Sequence, residues 1–345
     1  MTDNSLTLFS SNSRKDLPPP ILDMLESVNA FYSYEYERLM RSSGCDVVYI
    51  YSKNVIIIAI LRKMMIFHSG NFPSEPIELH ACSIEHMQKF LDSCLNYLRS
   101  KYNLDWMSPN LAASMFKVAP SKCIKIPFGN HVVKLCRDEE TLWAEIHGKH
   151  RNSIRRAEKA GVKIVSGGIE YLDDYMALEK ETWARSGKSG SSKAMLGNYV
   201  TQLGDKARIF ISYLSEEAQS GAIFMYNADC CYYIYGSSKN RPEPGSANLL
   251  HWEAMKYMKT LGVNRYSFVG ARINEDVDSK YHGLQRFKKR FGGELIQGFM
   301  FKAIFKPWKY QLYYRLLFLK NNKGKRYQVD AIDQEKHKWA EINEI

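Results

Sequence analysis

Tyr235 and Ser237 stand two residues apart at the end of an aromatic, β-favouring run that begins at Tyr232. Alternate residues of a strand share a face, so both hydroxyls can be offered to one cleft, to hydrogen-bond an acceptor or a leaving group. The segment Lys239 to Ser246, with Pro242, Pro244 and Gly245, cannot continue that strand. Leu250, Ala254, Tyr257, Met258 and Leu261 then recur at helical spacing, and Gly262 stops the helix at a position suited to a left-handed residue. A strand that feeds a loop opening a helix points N–H groups and a positive helix end beyond the strand, which suits a phosphate or a developing oxyanion. Arg241, Gly245, Ser246 and Ala247 are the candidate binding residues of that loop. Glu253, three after Leu250, is a candidate proton acceptor whose alternative is an ordinary surface glutamate. His251 and His282 are further bases, each with a structural or exposed alternative.

Other chemistries lack their residues. GxGxxG, a Walker loop, a GxSxG elbow, HExxH and a zinc-ligand cluster are absent, so covalent serine catalysis and metal hydrolysis are unsupported. Seven cysteines, an odd number without a CxxC pair, give no disulfide framework, and Cys230 and Cys231 read as small buried apolar residues. Hydrophobic content of 45% with 25% charged residues predicts a soluble globular protein, and 345 residues suffice for two domains. The longest strongly apolar run, Val55 to Leu61, is too short to span a bilayer and reads as a buried strand. The first twenty residues lack the order of a signal peptide, so a cytoplasmic location is expected.

Charge is uneven. From Tyr281 to Arg326 there are twelve Lys/Arg against one acid, Glu294, a local excess equal to the +11 of the whole chain. Such a face suits RNA, anionic lipid headgroups or a diphosphate-linked substrate, or is a solvated basic tail. A second cluster, Lys149 to Lys163, holds six Lys/Arg against Glu158. Arg151 and Arg155, four apart on one helical face, either grip a phosphorylated partner or solubilise the surface.

The elements that position these residues follow in order. Residues 1–20, rich in Ser, Asn and Pro, are expected to be poorly ordered. Phe31 to Ser42 reads as helix, Val47 to Tyr51 with Val55 to Leu61 as a hairpin, and Ile84 to Tyr102 as a helix burying Met87, Phe90, Leu91, Cys94, Leu95 and Leu98. Strands interrupted by Pro127 and Gly129 predict a boundary between domains 21–128 and 129–305. Glu139 to Ala160 reads as one or two helices ended by Gly161. Helices then cover Tyr171 to Arg185 and a stretch to about Leu203, joined by Ser186 to Lys193, a mobile lid or a linker. Arg208 to Leu214, Gly221 to Tyr226 and Cys231 to Ser237 predict an antiparallel meander. Residues 306–345 form a basic, aromatic helical tail that either packs on its own sheet or lies on an anionic membrane. The pattern as a whole predicts an α/β (α+β) protein.

The segments "HGKHRNSIRRAEKAGVKI", "YYIYGSS", "LLHWEAMKYMKTLGVNRYSF" and "GLQRFKKRFGG" resemble the FemAB-like and BioF2-like branch of the GNAT acyltransferase superfamily, over roughly Val132 to Phe305. The resemblance implies a mixed, largely antiparallel sheet flanked by helices, with the first half a degenerate copy of the same fold. It also implies that Lys288 lies near an acyl donor, stabilising an oxyanion or holding a donor phosphate, where composition alone shows one lysine among several on a basic helix. In this superfamily an amine attacks an activated carbonyl directly, so alignment, proton removal and oxyanion stabilisation are what the protein supplies. Members that bind acetyl-CoA carry Arg/Gln-x-x-Gly-x-Gly/Ala, whereas here Arg241 is followed by "PEPGSA", with Gly245 one residue too far along. That departure weakens the coenzyme A reading and leaves room for an acyl-carrier or aminoacyl-tRNA donor.

The expectation is therefore an acyltransferase acting on an amine of an amino-sugar or lipid-linked envelope precursor, without a tightly bound cofactor and with possible peripheral contact at the membrane's inner face. Its alternative is an inactive GNAT-fold protein that binds RNA or anionic membrane.

Overall fold

The computed structural model describes residues 7–186, 190–273, 280–321 and 330–335. The chain forms two compact units. One comprises Met1–Leu25, Met40–Gly129 and Gln297–Ile345, the other Glu26–Leu39 and Asn130–Ile296. The division falls inside a single strand, Ile124–Lys134, which Pro127 and Gly129 do not interrupt. Residues 26–39 thus belong to the second unit, and the end of the chain belongs to the first.

In the first unit Asp46–Tyr51 and Val55–Met64 pair antiparallel from Asp46↔Leu61 to Tyr51↔Ile56. Phe67–Asn71 pairs antiparallel with Val55–Met64, and Trp106–Met107 lies parallel beside it. Val55 to Leu61 are buried without a break, as a strand covered on both faces requires. Ile84–Lys101 buries Met87, Phe90, Leu91, Cys94, Leu95 and Leu98 against this sheet, the stripe its spacing predicts. The beginning of the chain is more ordered than its composition suggests. Phe9–Ser11 pairs with Asp46–Tyr51, because Phe9 stacks on Tyr51 at 5.6 Å and the strand edge supplies backbone partners. Residues 1–6 lie outside the described residues.

The second unit carries a six-stranded mixed sheet in the order Ile124–Lys134, Arg265–Ser267, Cys230–Ser238, Glu217–Tyr226, Ala207–Leu214, Lys163–Gly167. Every neighbouring pair is antiparallel except Arg265–Ser267 with Cys230–Ser238. Alternation along the strands sorts the two cores. Phe210, Ala222, Phe224 and Cys231 pack on one face with helices Gly148–Lys159 and Ser246–Thr260. Ile209, Ile211 and Ile223 pack on the other with Leu172–Ser186 and Lys193–Leu203. Burying both faces holds the central strands on a fixed plane. The predicted meander is present, slightly longer at each strand. Glu139 to Ala160 resolves into two helices, Glu139–Glu145 capped by Asp138 and Gly148–Lys159 capped by His147. The predicted lid or linker at 186–193 falls in part on residues 187–189, outside the described residues.

Candidate active site

The sheet of the second unit parts in its middle. Cys230–Ser238 and Arg265–Ser267 run parallel for three pairs only, ending at Tyr232↔Ser267. Beyond Ser267 the chain stays with the Ile124–Lys134 strand: Phe268 N donates to the His131 carbonyl at 2.9 Å and Gly270 N to Asn130 Oδ1 at 2.8 Å. Beyond Tyr232 the other strand stays with Glu217–Tyr226 as far as Ser220↔Ser238. One edge of residues 233–237 therefore faces an opening instead of a paired strand, among the described residues, while the Ser238 backbone bonds to Thr182. A bulge marks the same place. Ile223 opposes Tyr235 and Phe224 opposes Tyr233, so Ile234 is the extra residue. The bulge sends Tyr233 toward His251, ring centroids 4.5 Å apart, and Tyr235 toward Tyr199 on the other face, at 5.7 Å.

Tyr235 and Ser237 do share a face. Tyr235 is half-buried beside Tyr199, and burial raises the pKa of its hydroxyl. Ser237 is buried and donates to the Tyr175 hydroxyl at 3.2 Å.

Lys288 lies where the strands part. Its helix, Lys280–Lys289, turns the ammonium inward onto the carbonyls of Val269 and Gly270, the latter at 2.7 Å. Both residues have positive φ, 39° and 58°, which aims successive carbonyls at one point. Burial lowers the Lys288 pKa to about 8. An ammonium has three donors and two are used here, so among the described residues one N–H remains for a ligand oxygen. Two buried, neutral histidines orient the helix. His251 Nδ1 sits 2.6 Å from the Tyr266 hydroxyl, and burial takes its pKa down to about 3. His150 Nε2 meets the Phe287 carbonyl at 3.0 Å, with a pKa lowered by burial to about 4. Their rings lie against Phe287 and Phe291, so His251 is a core residue and not a base of the site. His282 is half-buried on the Lys280–Lys289 helix.

The loop opening Ser246–Thr260 is tighter than a phosphate cradle. Gly245 adopts φ +93°, and a Cβ there would stand 2.0 Å from the Ser153 carbonyl oxygen. Ser246 directs both its N–H, at 3.1 Å, and its hydroxyl, at 2.7 Å, to the Glu243 carbonyl. Ala247 is half-buried in the first turn, and Arg241 is exposed.

Three candidates stand apart from the opening. Glu253 pairs with Lys256 at 2.7 Å on the outer side of its helix, because the opposite side carries the buried Leu250, Ala254 and Met258. Arg151 Nη1 donates to the carbonyls of Trp143, Ala144 and Ile146 at 3.4, 2.7 and 2.9 Å, satisfying the end of the preceding helix. Arg155 places its guanidinium 5.3 Å from the Trp143 ring. Spacing put these arginines on one face but could not reveal the helix end that engages Arg151.

Glu179 was not legible in the sequence. It is 2% exposed and near Tyr235, on the Leu172–Ser186 helix that meets Ser237 through Tyr175. The i, i+4 relation to the buried Tyr175 was the available signal.

Comparison with known proteins gives a concordant picture. The Acetyltransferase (GNAT) domain family matches residues 147–289. The Lipid II:glycine glycyltransferases of Staphylococcus haemolyticus (strain JCSC1435) and Staphylococcus aureus are each 36% identical over 79 residues, 23% of this chain and 19% of theirs. The match thus spans about a fifth of the length of these relatives. The crystal structure of FemX aligns with a TM-score of 0.65 at 15% identity, covering 89% of this chain and 99% of that one. The C-terminal domain (DUF2156) of a putative lysylphosphatidylglycerol synthetase from Agrobacterium fabrum aligns with a TM-score of 0.57 at 10% identity, covering 86% and 94%. At these identities the structures speak for the fold, and the family match speaks for residues 147–289. Residues 147–289 are thus similar to the GNAT acetyltransferase domain, and a 79-residue stretch to the staphylococcal Lipid II:glycine glycyltransferases.

Proposed function

We propose that the second unit transfers an aminoacyl group from an activated ester to a primary amine of a lipid-linked cell-envelope precursor, with both substrates bound together. The observation that carries this reading is the opening between Cys230–Ser238 and Arg265–Ser267, with the one uncommitted N–H of Lys288 at its edge. An extended donor can lie along the unpaired edge of residues 233–237. The amine nitrogen attacks the ester carbonyl, the C–O bond to the donor breaks, and the proton lost from nitrogen leaves on the departing hydroxyl. Lys288 stabilises the transient oxyanion, and Tyr235 and Ser237 line the amine's side.

An aminoacyl-tRNA is the donor class favoured over coenzyme A. Ser246 already gives its N–H and hydroxyl to the Glu243 carbonyl, and Gly245 packs closely on the Ser153 carbonyl. The relatives' glycyl transfer to lipid II supports an aminoacyl donor and a lipid-linked acceptor.

Contact with an anionic membrane fits this acceptor. No helix among the described residues is long and apolar enough to cross a membrane. Helix Pro307–Asn321 exposes Trp308, Phe318 and Leu319, and the turn that exposes Met65 and Ile66 joins it where Lys309 Nζ meets the Ile66 carbonyl at 2.7 Å. Exposed Lys63 and Arg315 accompany this apolar surface.

The test offers lipid II with radiolabelled glycyl-tRNA or acetyl-CoA to the purified protein and to Lys288→Ala. Label should pass from the tRNA ester and fall at least tenfold in the variant. Transfer from acetyl-CoA alone would overturn the donor, and full activity of Lys288→Ala the role of the lysine. No transfer from either donor, with liposomes or RNA still bound, would leave the inactive-fold alternative standing.

A further inference from the structure

The carboxylate of Glu179 is only half satisfied. Oε1 accepts from Trp183 Nε1 at 3.0 Å and from Ser191 N at 3.1 Å, while Oε2 is buried and has no hydrogen-bond partner among the described residues. No Lys or Arg among the described residues pairs with it: its neighbour Lys180 is exposed, and Arg185 binds the Ser238 carbonyl and hydroxyl at 3.0 Å each. An unpaired carboxylate oxygen out of water is unfavourable, so its retention asks for a partner supplied from outside.

The surroundings say which partner. Glu179 lies between two contacts that tie its helix to the edge of the opening. Four residues before it, Tyr175 accepts from Ser237, and three after it, Thr182 exchanges two hydrogen bonds with the Ser238 backbone, each 2.9 Å. Trp183 and Ser191, which hold Oε1, are themselves half-buried, so solvent lies within one side chain of the carboxylate. The group thus faces Tyr235 and Ser237, beside the strand whose far edge is open.

We infer that Glu179 is the binding residue for a primary ammonium group, the acceptor amine of the transfer, which donates to Oε2 and leaves one proton on that carboxylate when its nitrogen becomes the neutral nucleophile. A neutral amide or alcohol would leave the negative charge unbalanced, whereas an ammonium supplies both charge and donors. The inference rests on the transferase reading for which amine is bound, not for the existence of the seat.

Two measurements test it. Glycinamide, a small cation, is titrated into the full chain while tryptophan fluorescence is followed, with Trp183→Phe to isolate the signal of the indole bonded to Oε1. N-acetylglycinamide is the uncharged control. A saturable change for glycinamide alone, weakened at least tenfold in Glu179→Gln, is expected, because Gln keeps an acceptor for Trp183 and Ser191 but removes the charge. No response in the unmodified protein, an equal response to N-acetylglycinamide, or an unchanged response in Glu179→Gln would overturn the seat. In the transfer assay Glu179→Gln should raise the KM for the amine acceptor about tenfold at constant donor KM, with Glu179→Asp recovering part of it. Transfer with an unchanged acceptor KM would sink the seat and leave the transferase reading intact. Glycinamide binding without transfer from any donor would do the reverse.

Discussion

Gly245→Ala is the sharpest structural test of the loop that opens the Ser246–Thr260 helix. Two separate penalties meet at this position. The residue has φ +93°, where an L side chain is strained by about 1 to 2 kcal/mol. Its new Cβ would also lie 2.0 Å from the Ser153 carbonyl oxygen, 2.8 Å from the Ser153 carbonyl carbon and 3.2 Å from Ala157 Cβ. The first two are backbone atoms inside Gly148–Lys159, so a rotamer change cannot relieve the contact, and overpacking adds about 1 to 3 kcal/mol. Gly262 supplies the control, because it has φ +74° with nothing within 4 Å of an added Cβ, so Gly262→Ala carries conformational strain alone. At about 2 to 4 °C per kcal/mol for a unit of this size, Gly245→Ala should lower the unfolding midpoint by roughly 4 to 20 °C and Gly262→Ala by roughly 2 to 8 °C. Differential scanning calorimetry of both variants beside the unmodified protein measures the gap. Equal shifts would refute the close approach of the two helices at Ser153.

Other substitutions separate structural from functional roles. Arg151→Ala leaves three carbonyls without their donor and should destabilise the protein by about 1 to 3 kcal/mol in denaturant titration, while aminoacyl-tRNA affinity stays unchanged. Asp105 is buried, which alone would raise its pKa, yet Lys306, the His68 N–H and Lys309 outweigh burial and hold it below the ordinary value. Its contribution is therefore present above about pH 4 and lost as pH falls further, and Asp105→Asn, which removes it at neutral pH, should cost about 2 to 4 kcal/mol in chemical denaturation. His251 and His150, with folded pKa values of about 3 and 4, stay neutral while unfolded histidine takes a proton below about pH 6.5. Stability should then fall with pH between 6.5 and 4 by roughly 1.4 kcal/mol per unit for each histidine, and His251→Gln should remove about half that slope.

What could be read from the sequence was whatever depends on local periodicity. The six buried positions of Ile84–Lys101, the three-stranded meander and the left-handed stop at Gly262 all follow from neighbours within a few residues. Tyr235 and Ser237 share a face for the same reason, since the bulge falls before Tyr235 and not between the two. Contacts distant in sequence were not accessible. Pro127 looked like an interruption, yet Ile124–Lys134 remains a strand. Arg151 meets a helix end whose orientation no spacing records, and the helix that carries Glu179 is held to residues 237–240 by Tyr175, Glu181 and Thr182, contacts about sixty residues apart in sequence.

The basic excess near the chain's end shows how far composition can mislead about a binding face. Lys302 is 1% exposed, with Asp330 at 2.8 Å and Asp333 at 2.6 Å, Lys306 and Lys309 flank Asp105, and Lys288 faces two carbonyls. These four cations have internal partners, and a phosphate would have to displace them. In the second unit Arg286 and Lys289 are exposed and Arg290 half-exposed around the same helix, which leaves about three cations for a nucleic acid there. Single-stranded ends release counterions with a slope near −0.7 per phosphate contact and duplex near −0.9, so the logarithm of tRNA affinity should fall with that of salt concentration at a slope of about −2 to −3. Filter binding between 50 and 200 mM salt reads that slope, on the order of a tenfold to hundredfold loss. A slope near −8 would mean that the interior lysines are released to the ligand, and the packing of Lys302 and Lys306 described above would then not persist in the complex.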